Sequence, residues 1–284
     1  MTPTRLAIDL SGNVVRVLAG APGGPMRAAE ATMPAGAMSN GGVVNSDAIG
    51  PVIKDLVDHV DARDVRAMVV ASDAVASFRV LSFPKDTADT KIEAAFRAVL
   101  PVDGNRIAMQ RQDLSFNGSE RTFYGAAFDR LKVQSLAGAV RAAGLEPSVV
   151  ELKSLCVTRL VPAPTCVLVD LSVDPAEIFL IDGSLPRVWH TFKARPETLD
   201  ETQQLASAVN TVIVFHQRMA AGNGFSPEAP VFITSDGPVS APKVEAIRAR
   251  IGRPIRALPP PPRVAADIRY GPFMACLGLV MRRR

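Results

Sequence analysis

Two stretches of the chain share one plan of apolar and polar positions. In residues 6–18, LAIDLSGNVVRVL, apolar residues lead into Asp9-Leu10-Ser11, a Gly-Asn turn follows, and alternating apolar residues return. Residues 167–183, VLVDLSVDPAEIFLIDG, repeat the plan around Asp170-Leu171-Ser172 and close on Asp182-Gly183. Each reads as a β-hairpin whose first strand ends in a carboxylate. Such a turn can aim backbone N–H groups and an acid at a phosphate or its metal, and two of them face to face would clamp it. The alternative is turn chemistry alone, each Asp closing an Asx-turn at the end of a core strand.

The remaining pattern predicts alternating strands and helices. A short strand is expected within residues 26–33, and a helix over 46–60 with Ser46 as its N-cap and Ile49, Ile53, Leu56 and Val57 on one face. Residues 67–71 read as a buried strand and 77–83 as an alternating one stopped by Pro84. A helix follows over 86–100 with Ile92, Phe96 and Val99 on one side. Two strands, 107–116 and 121–128, are then joined by Asn117-Gly118, and a helix over 131–143 ends at Gly144. Residues 77–147 thus form a small α+β unit between the two hairpins. Beyond it come a helix over 152–160, a Pro-rich linker, and the second hairpin with a third strand at 186–192. The most amphipathic helix spans 200–219, carrying Leu205, Val209, Val212, Ile213 and His216 on one face. A strand at 230–234 leads into Ser235-Asp236-Gly237. A helix over 244–251 stops at Gly252, Pro259 to Pro262 make an extended spacer, and a buried helix over 273–281 precedes Arg282 to Arg284. The class is α/β.

Composition narrows the function. A chain of 284 residues has room for roughly two domains. Its 48% hydrophobic and 21% charged content is that of a globular protein, and a net charge of +4 with 5% aromatics argues against nucleic acid. The odd, unpaired set Cys156, Cys166 and Cys276 reads as buried small hydrophobes in a reducing compartment. Asp9 interrupts any signal-like apolar start, and residues 270–281 fall short of the roughly 20 needed to span a membrane. A cytoplasmic location is expected. His59, His190 and His216 fall on separate elements with no metal-ligand spacing, and neither a Gly-x-Ser-x-Gly elbow nor a Walker loop occurs. No catalytic residue and no metal ligand is assigned.

The order of these segments resembles the actin-like ATPase superfamily, and within it the PilM type IV pilus assembly proteins. IDLSGNVVRVL is similar to that family's first phosphate loop and VLVDLSVDPAEIFLIDGSLPRVWHTF to its second. RVLSFPKDTADTKIEAAFRAVLPVD resembles the inserted unit, AGLEPSVVELKSLCVTRL the crossing segment, and ACLGLVMR the closing helix. The resemblance covers nearly the whole chain. It implies a two-lobed actin-like ATPase fold with a small inserted α+β subdomain and a trimmed second lobe, divided as first lobe 1–76, insert 77–147, crossing helix 148–163, second lobe 164–264 and closing helix 265–284. It implies a cytoplasmic adaptor, peripheral at the inner face of the membrane, that docks the cytoplasmic tail of a PilN-like inner-membrane partner in a groove between the 6–18 hairpin and the insert. Self-association is compatible with it.

By the same resemblance the nucleotide positions, if retained, are Asp9, Ser11, Gly12 and Asn13, then Asp170 and Ser172, then Ser235 and Gly237. Departures from the family weaken them: Ser11, Ser172 and Asp236 stand where the family has glycine. If those turns need positive φ, each side chain costs roughly 1–2 kcal/mol, and about 3–6 kcal/mol in total turns a micromolar site millimolar. The expectation is a degenerate, non-catalytic ATPase with no resident cofactor and at most weak Mg-ATP binding. The alternatives are an active actin-like ATPase or small-molecule kinase of the same fold, or an FtsA-like membrane tether, which would need an amphipathic helix beyond Arg284.

Overall fold

The computed structural model describes residues 3–100, 106–116, 119–194, 200–219, 225–237, 239–261 and 268–282. Two five-stranded sheets dominate, beside a two-stranded ribbon of β4 (Met38–Ser39) and β5 (Gly42–Val43). The first is built from β1 (Arg5–Asp9), β2 (Val14–Gly20), β3 (Met26–Thr32), β6 (Ala67–Ala71) and β10 (Pro147–Leu152) in the order β10-β6-β1-β2-β3. The second is built from β11 (Cys166–Asp170), β12 (Ala176–Asp182), β13 (Leu185–Phe192), β14 (Val231–Thr234) and β15 (Ile255–Ala257) in the order β13-β12-β11-β14-β15.

Strand directions match as well as order. In each sheet an antiparallel meander of three strands is extended, beyond its first strand, by two parallel ones. The duplicated Asp-Leu-Ser pattern is therefore the visible part of a duplicated sheet. Two of its strands, β10 and β15, were not expected from the sequence. Residues 147–152 carry too little alternation to stand apart from the helix that follows, and Ile255–Ala257 is only three residues long.

Each sheet has a helical layer on its outer face. α1 (Ser46–His59) and α3 (Arg130–Ala142) cover the first, with Ile49, Ile53, Leu136 and Val140 packed against Ile8, Val17 and Val69. The α1 N-cap is Asn45 rather than Ser46: the Asn45 Oδ1 accepts from the Ala48 N–H at 3.1 Å. α5 (Glu201–Met219) and α6 (Ala241–Ile251) cover the second sheet, where Leu205, Val209 and Ile247 meet Val167, Val169 and Ile233. Between the sheets lie α4 (Lys153–Thr158) and α7 (Tyr270–Val280), the latter buried from Gly271 to Val280. Their apolar surfaces join Ala7, Leu18 and Val70 of one sheet to Leu168, Phe179 and Phe232 of the other in a single core.

The insert is a three-stranded sheet, β7 (Ala76–Pro84), β9 (Glu120–Asp129) and β8 (Ile107–Phe116) in the order β7-β9-β8. One face carries α2 (Asp89–Val99), whose Ile92 and Phe96 form a separate small core with Phe123 and Ala127. The predicted Asn117-Gly118 turn and the Leu100-Pro101 break lie wholly or partly outside the described residues, as do Pro262 and the last two arginines.

Candidate functional site

The two hairpin turns meet at the junction of the lobes. Asp9 ends β1 almost fully buried, and its Oδ1 accepts the Ser11 N–H at 2.8 Å. Asp170 ends β11 in the same state, its Oδ1 accepting the Ser172 N–H at 2.9 Å and the Ser172 hydroxyl. Both are Asx-turns. The turns also touch: the Asn13 side-chain amide donates to the Asp174 carbonyl at 3.1 Å. The turn that carries Asp9, Ser11, Gly12 and Asn13 thus lies against the one that carries Asp170 and Ser172.

A lysine occupies the space between them. Lys153 begins α4, and its side chain is 4% exposed. Its ammonium lies 3.4 Å from Asp170 Oδ2 and donates to Glu177 Oε2, while the other Glu177 oxygen accepts from the Trp189 indole at 3.1 Å. Burial alone would push the ammonium's pKa down, but Glu177, Asp170 and Asp9 hold it above its ordinary value, so it is a fixed cation. Burial raises the Glu177 pKa, and Lys153 opposes the rise.

A further acid sits behind the cluster. Asp73, in the 3₁₀ turn after β6, accepts the Ser154 N–H at 2.9 Å and the Ser154 hydroxyl. Burial pushes its pKa up to about 7, the Ser154 contacts working against the rise. Neither Lys153 nor Asp73 was singled out from the sequence. A charged residue inside the helical stretch 152–160 was the available signal, but only the fold shows that it points between two carboxylates.

Backbone geometry corrects one expectation. Among the described residues, the non-glycine residues at positive φ are Asn40, Asp61 and Ser184, so Ser11, Ser172 and Asp236 carry no left-handed strain. The carboxylates accept from the turn N–H groups while the backbone stays in ordinary regions. Any loss of phosphate affinity at these positions has to come from charge and occupancy rather than conformation.

Ser235 and Gly237 follow β14, whose Thr234 lies opposite Asp170 and accepts the Leu171 N–H at 2.8 Å, so their loop sits beside the second hairpin turn. They line a cavity of about 300 Å³ with Asp236, Arg269 and Tyr270, and the Ser235 hydroxyl donates to the Gly237 carbonyl. Arg269 binds both Asp236 oxygens, at 3.2 and 3.1 Å, and also Glu30 on β3, tying this loop to the first lobe. Among the described residues no group of three or more His, Cys, Asp or Glu is placed to hold a metal ion, and no helix is long and apolar enough to cross a membrane.

No family model and no curated protein matches the chain. Solved structures do. The chain is similar to the PilM-PilN type IV pilus biogenesis complex at a TM-score of 0.69 and 17% identity, over 98% of this chain and 97% of that one. It is similar to the cytoplasmic domain of EpsL, an inner-membrane component of the type II secretion system of Vibrio cholerae, at 0.57 and 9%, over 99% and 97%. The ethanolamine utilization protein EutJ from Carboxydothermus hydrogenoformans gives 0.52 and 12%, over 99% and 90%. The class is therefore the actin-like ATPase fold, which the duplicated sheets and central helices already describe. Within it the chain is PilM-like in fold, as its sequence motifs imply.

Proposed function

We propose that this protein is a non-catalytic adaptor of a type IV pilus or related secretion machine that docks the cytoplasmic tail of an inner-membrane, PilN-like partner. The likeness to a PilM-PilN complex and to the cytoplasmic domain of a secretion component supports the partner class. The observation that carries the non-catalytic reading is the buried Lys153 ammonium between the two hairpins. In this reading its ammonium sits on Asp170 and Glu177, with Asp9 nearby, in the place where a nucleotide would need a divalent cation and room for phosphate. A permanent internal cation fills that place and lowers the negative charge left to attract magnesium.

The test is titration with Mg-ATP, followed by calorimetry and by the fluorescence of Trp189, the one tryptophan of the chain, which hydrogen-bonds to the cluster through Glu177. The expected outcome is no binding tighter than about millimolar. A micromolar dissociation constant with a tryptophan response would favour an active ATPase.

A further inference from the structure

The insert and the second lobe each end in an unpaired strand, and the two ends face one another. β7 bonds only to β9 and β13 only to β12, so each has a free edge among the described residues. A cleft of about 480 Å³ separates them, lined by Phe78 to Ser82 on β7 and by Pro186 to Val188 on β13. This is not the groove between the 6–18 hairpin and the insert that the family resemblance implies.

The lining is mostly apolar and carries two arginines, one aspartate and one histidine. Val99 and Phe215, 44% and 48% exposed, both stand in this cleft, and they are two of the four large apolar side chains that the described residues leave exposed. Arg79 and Arg187 face it from the two edges. Both donate to backbone carbonyls, of Phe78 at 2.7 Å and of Asp182 at 3.1 Å, and neither guanidinium has a carboxylate within ion-pair distance among the described residues, the Asp182 carboxylate acting on Arg187 from farther off. The Asp182 carboxylate also lies at the cleft, but it accepts from the Thr165 hydroxyl at 3.0 Å.

His216 supplies an independent observation. It lines the cleft and is 7% exposed, with burial holding its pKa low. Its Nε2 lies 3.4 Å from Asp182 Oδ2, poorly aligned for a hydrogen bond, and that carboxylate works against the effect of burial.

We propose that this cleft takes an extended acidic segment of a partner protein as an added strand on β7. Its backbone would pair with the free edge, a carboxylate would sit on Arg79 and Arg187, and aliphatic side chains beside it would cover Val99 and Phe215. Unpaired guanidiniums at a half-apolar strand edge select an acidic extended peptide over a basic or helical one. The proposal deepens the adaptor reading and rests on it for the kind of partner.

A pool of random displayed dodecapeptides, panned on the full chain and on Arg79→Glu, tests it. The wild type should enrich sequences with Asp or Glu flanked by aliphatic residues. The best of them, made synthetically, should bind Arg79→Glu at least tenfold more weakly by fluorescence anisotropy and should slow amide exchange over residues 78–82. Phe215→Ser, at an exposed position, should weaken the same peptide several-fold and stands in if Arg79→Glu does not fold. Failure to enrich acidic peptides, unchanged affinity in the variants, or protection elsewhere overturns the cleft assignment. If Arg79→Glu still joins the membrane partner in cells, the adaptor reading survives and the cleft does not.

Discussion

At the scale of single residues the molecule turns on Lys153. An ammonium 4% exposed is tolerable only because carboxylates surround it, and they are tolerable only because it is there. Lys153→Met should therefore cost about 3–5 kcal/mol at neutral pH by urea denaturation, since Asp170 and Glu177 would be left buried without a counter-charge. Millimolar manganese should restore part of that loss in the variant and little in the wild type. A variant as stable as the parent would mean that the carboxylates are neutral or hydrated. Asp73 makes a second, pH-dependent prediction. Its folded pKa of about 7 exceeds the ordinary value of 3.8, so between those limits the folded state keeps a proton that the unfolded chain releases. Asp73 thus subtracts stability as pH rises from about 4 to 7, by up to about 1.4 kcal/mol per pH unit. Asp73→Asn, which can keep the Ser154 contacts, should gain roughly 2 kcal/mol relative to wild type between pH 5 and pH 7. A gap that does not move with pH would show that Asp73 ionises normally. Asp9 and Asp170 are legible in the sequence because each ends an apolar run before a turn. Lys153 is not, because its meaning depends on a contact with Glu177, 24 positions away.

At the scale of elements the central pair α4 and α7 sets the tolerance. A Cβ placed on Gly278 of α7 would come 2.0 Å from the Cys156 carbonyl oxygen of α4, and one on Gly271 would come 2.2 Å from the Ser235 carbonyl oxygen. Backbone on both sides leaves no flexible side chain to yield. Gly278→Ala should cost about 3 kcal/mol or more and shift both lobes in one transition, measured by thermal unfolding; a change under about 1 kcal/mol would mean that the two helices separate easily. The closing motif ACLGLVMR carries this glycine, so the sequence displayed the element without displaying its contact. The strong amphipathic patterns of α1 and α5 gave their extents to within a few residues, as did the period-two runs of β7 and β9. The helix after the insert differs from expectation in its company: α3 places Leu136, Ala139 and Val140 in the first-lobe core, against α1, rather than on the insert sheet. An amphipathic pattern says that a helix has an apolar face and says nothing about which of two neighbouring sheets that face meets.

At the scale of the whole molecule the insert is built to be separable. Its core of Ile92, Phe96, Leu100, Phe123 and Ala127 shares no buried residue with the two lobes, and its first and last strands pair at Ala76 and Phe128, so the chain enters and leaves at one place. Joining Ala76 to Asp129 by a short glycine linker should accordingly leave the two duplicated sheets and the central helices folded, with a cooperative melt. Because the β7 cleft and the groove implied by the family resemblance both use the insert, that deletion should abolish recruitment to the membrane in cell fractionation. Removing Arg282 to Arg284 should leave recruitment largely intact, because three arginines at roughly 1 kcal/mol each give only marginal attraction to acidic lipid. Equal loss in both variants would point to lipid binding instead. Efficient membrane association of the intact chain in cells that lack any pilus or secretion partner would defeat the adaptor reading, because a protein held by a peptide groove has nothing to hold when the peptide is absent.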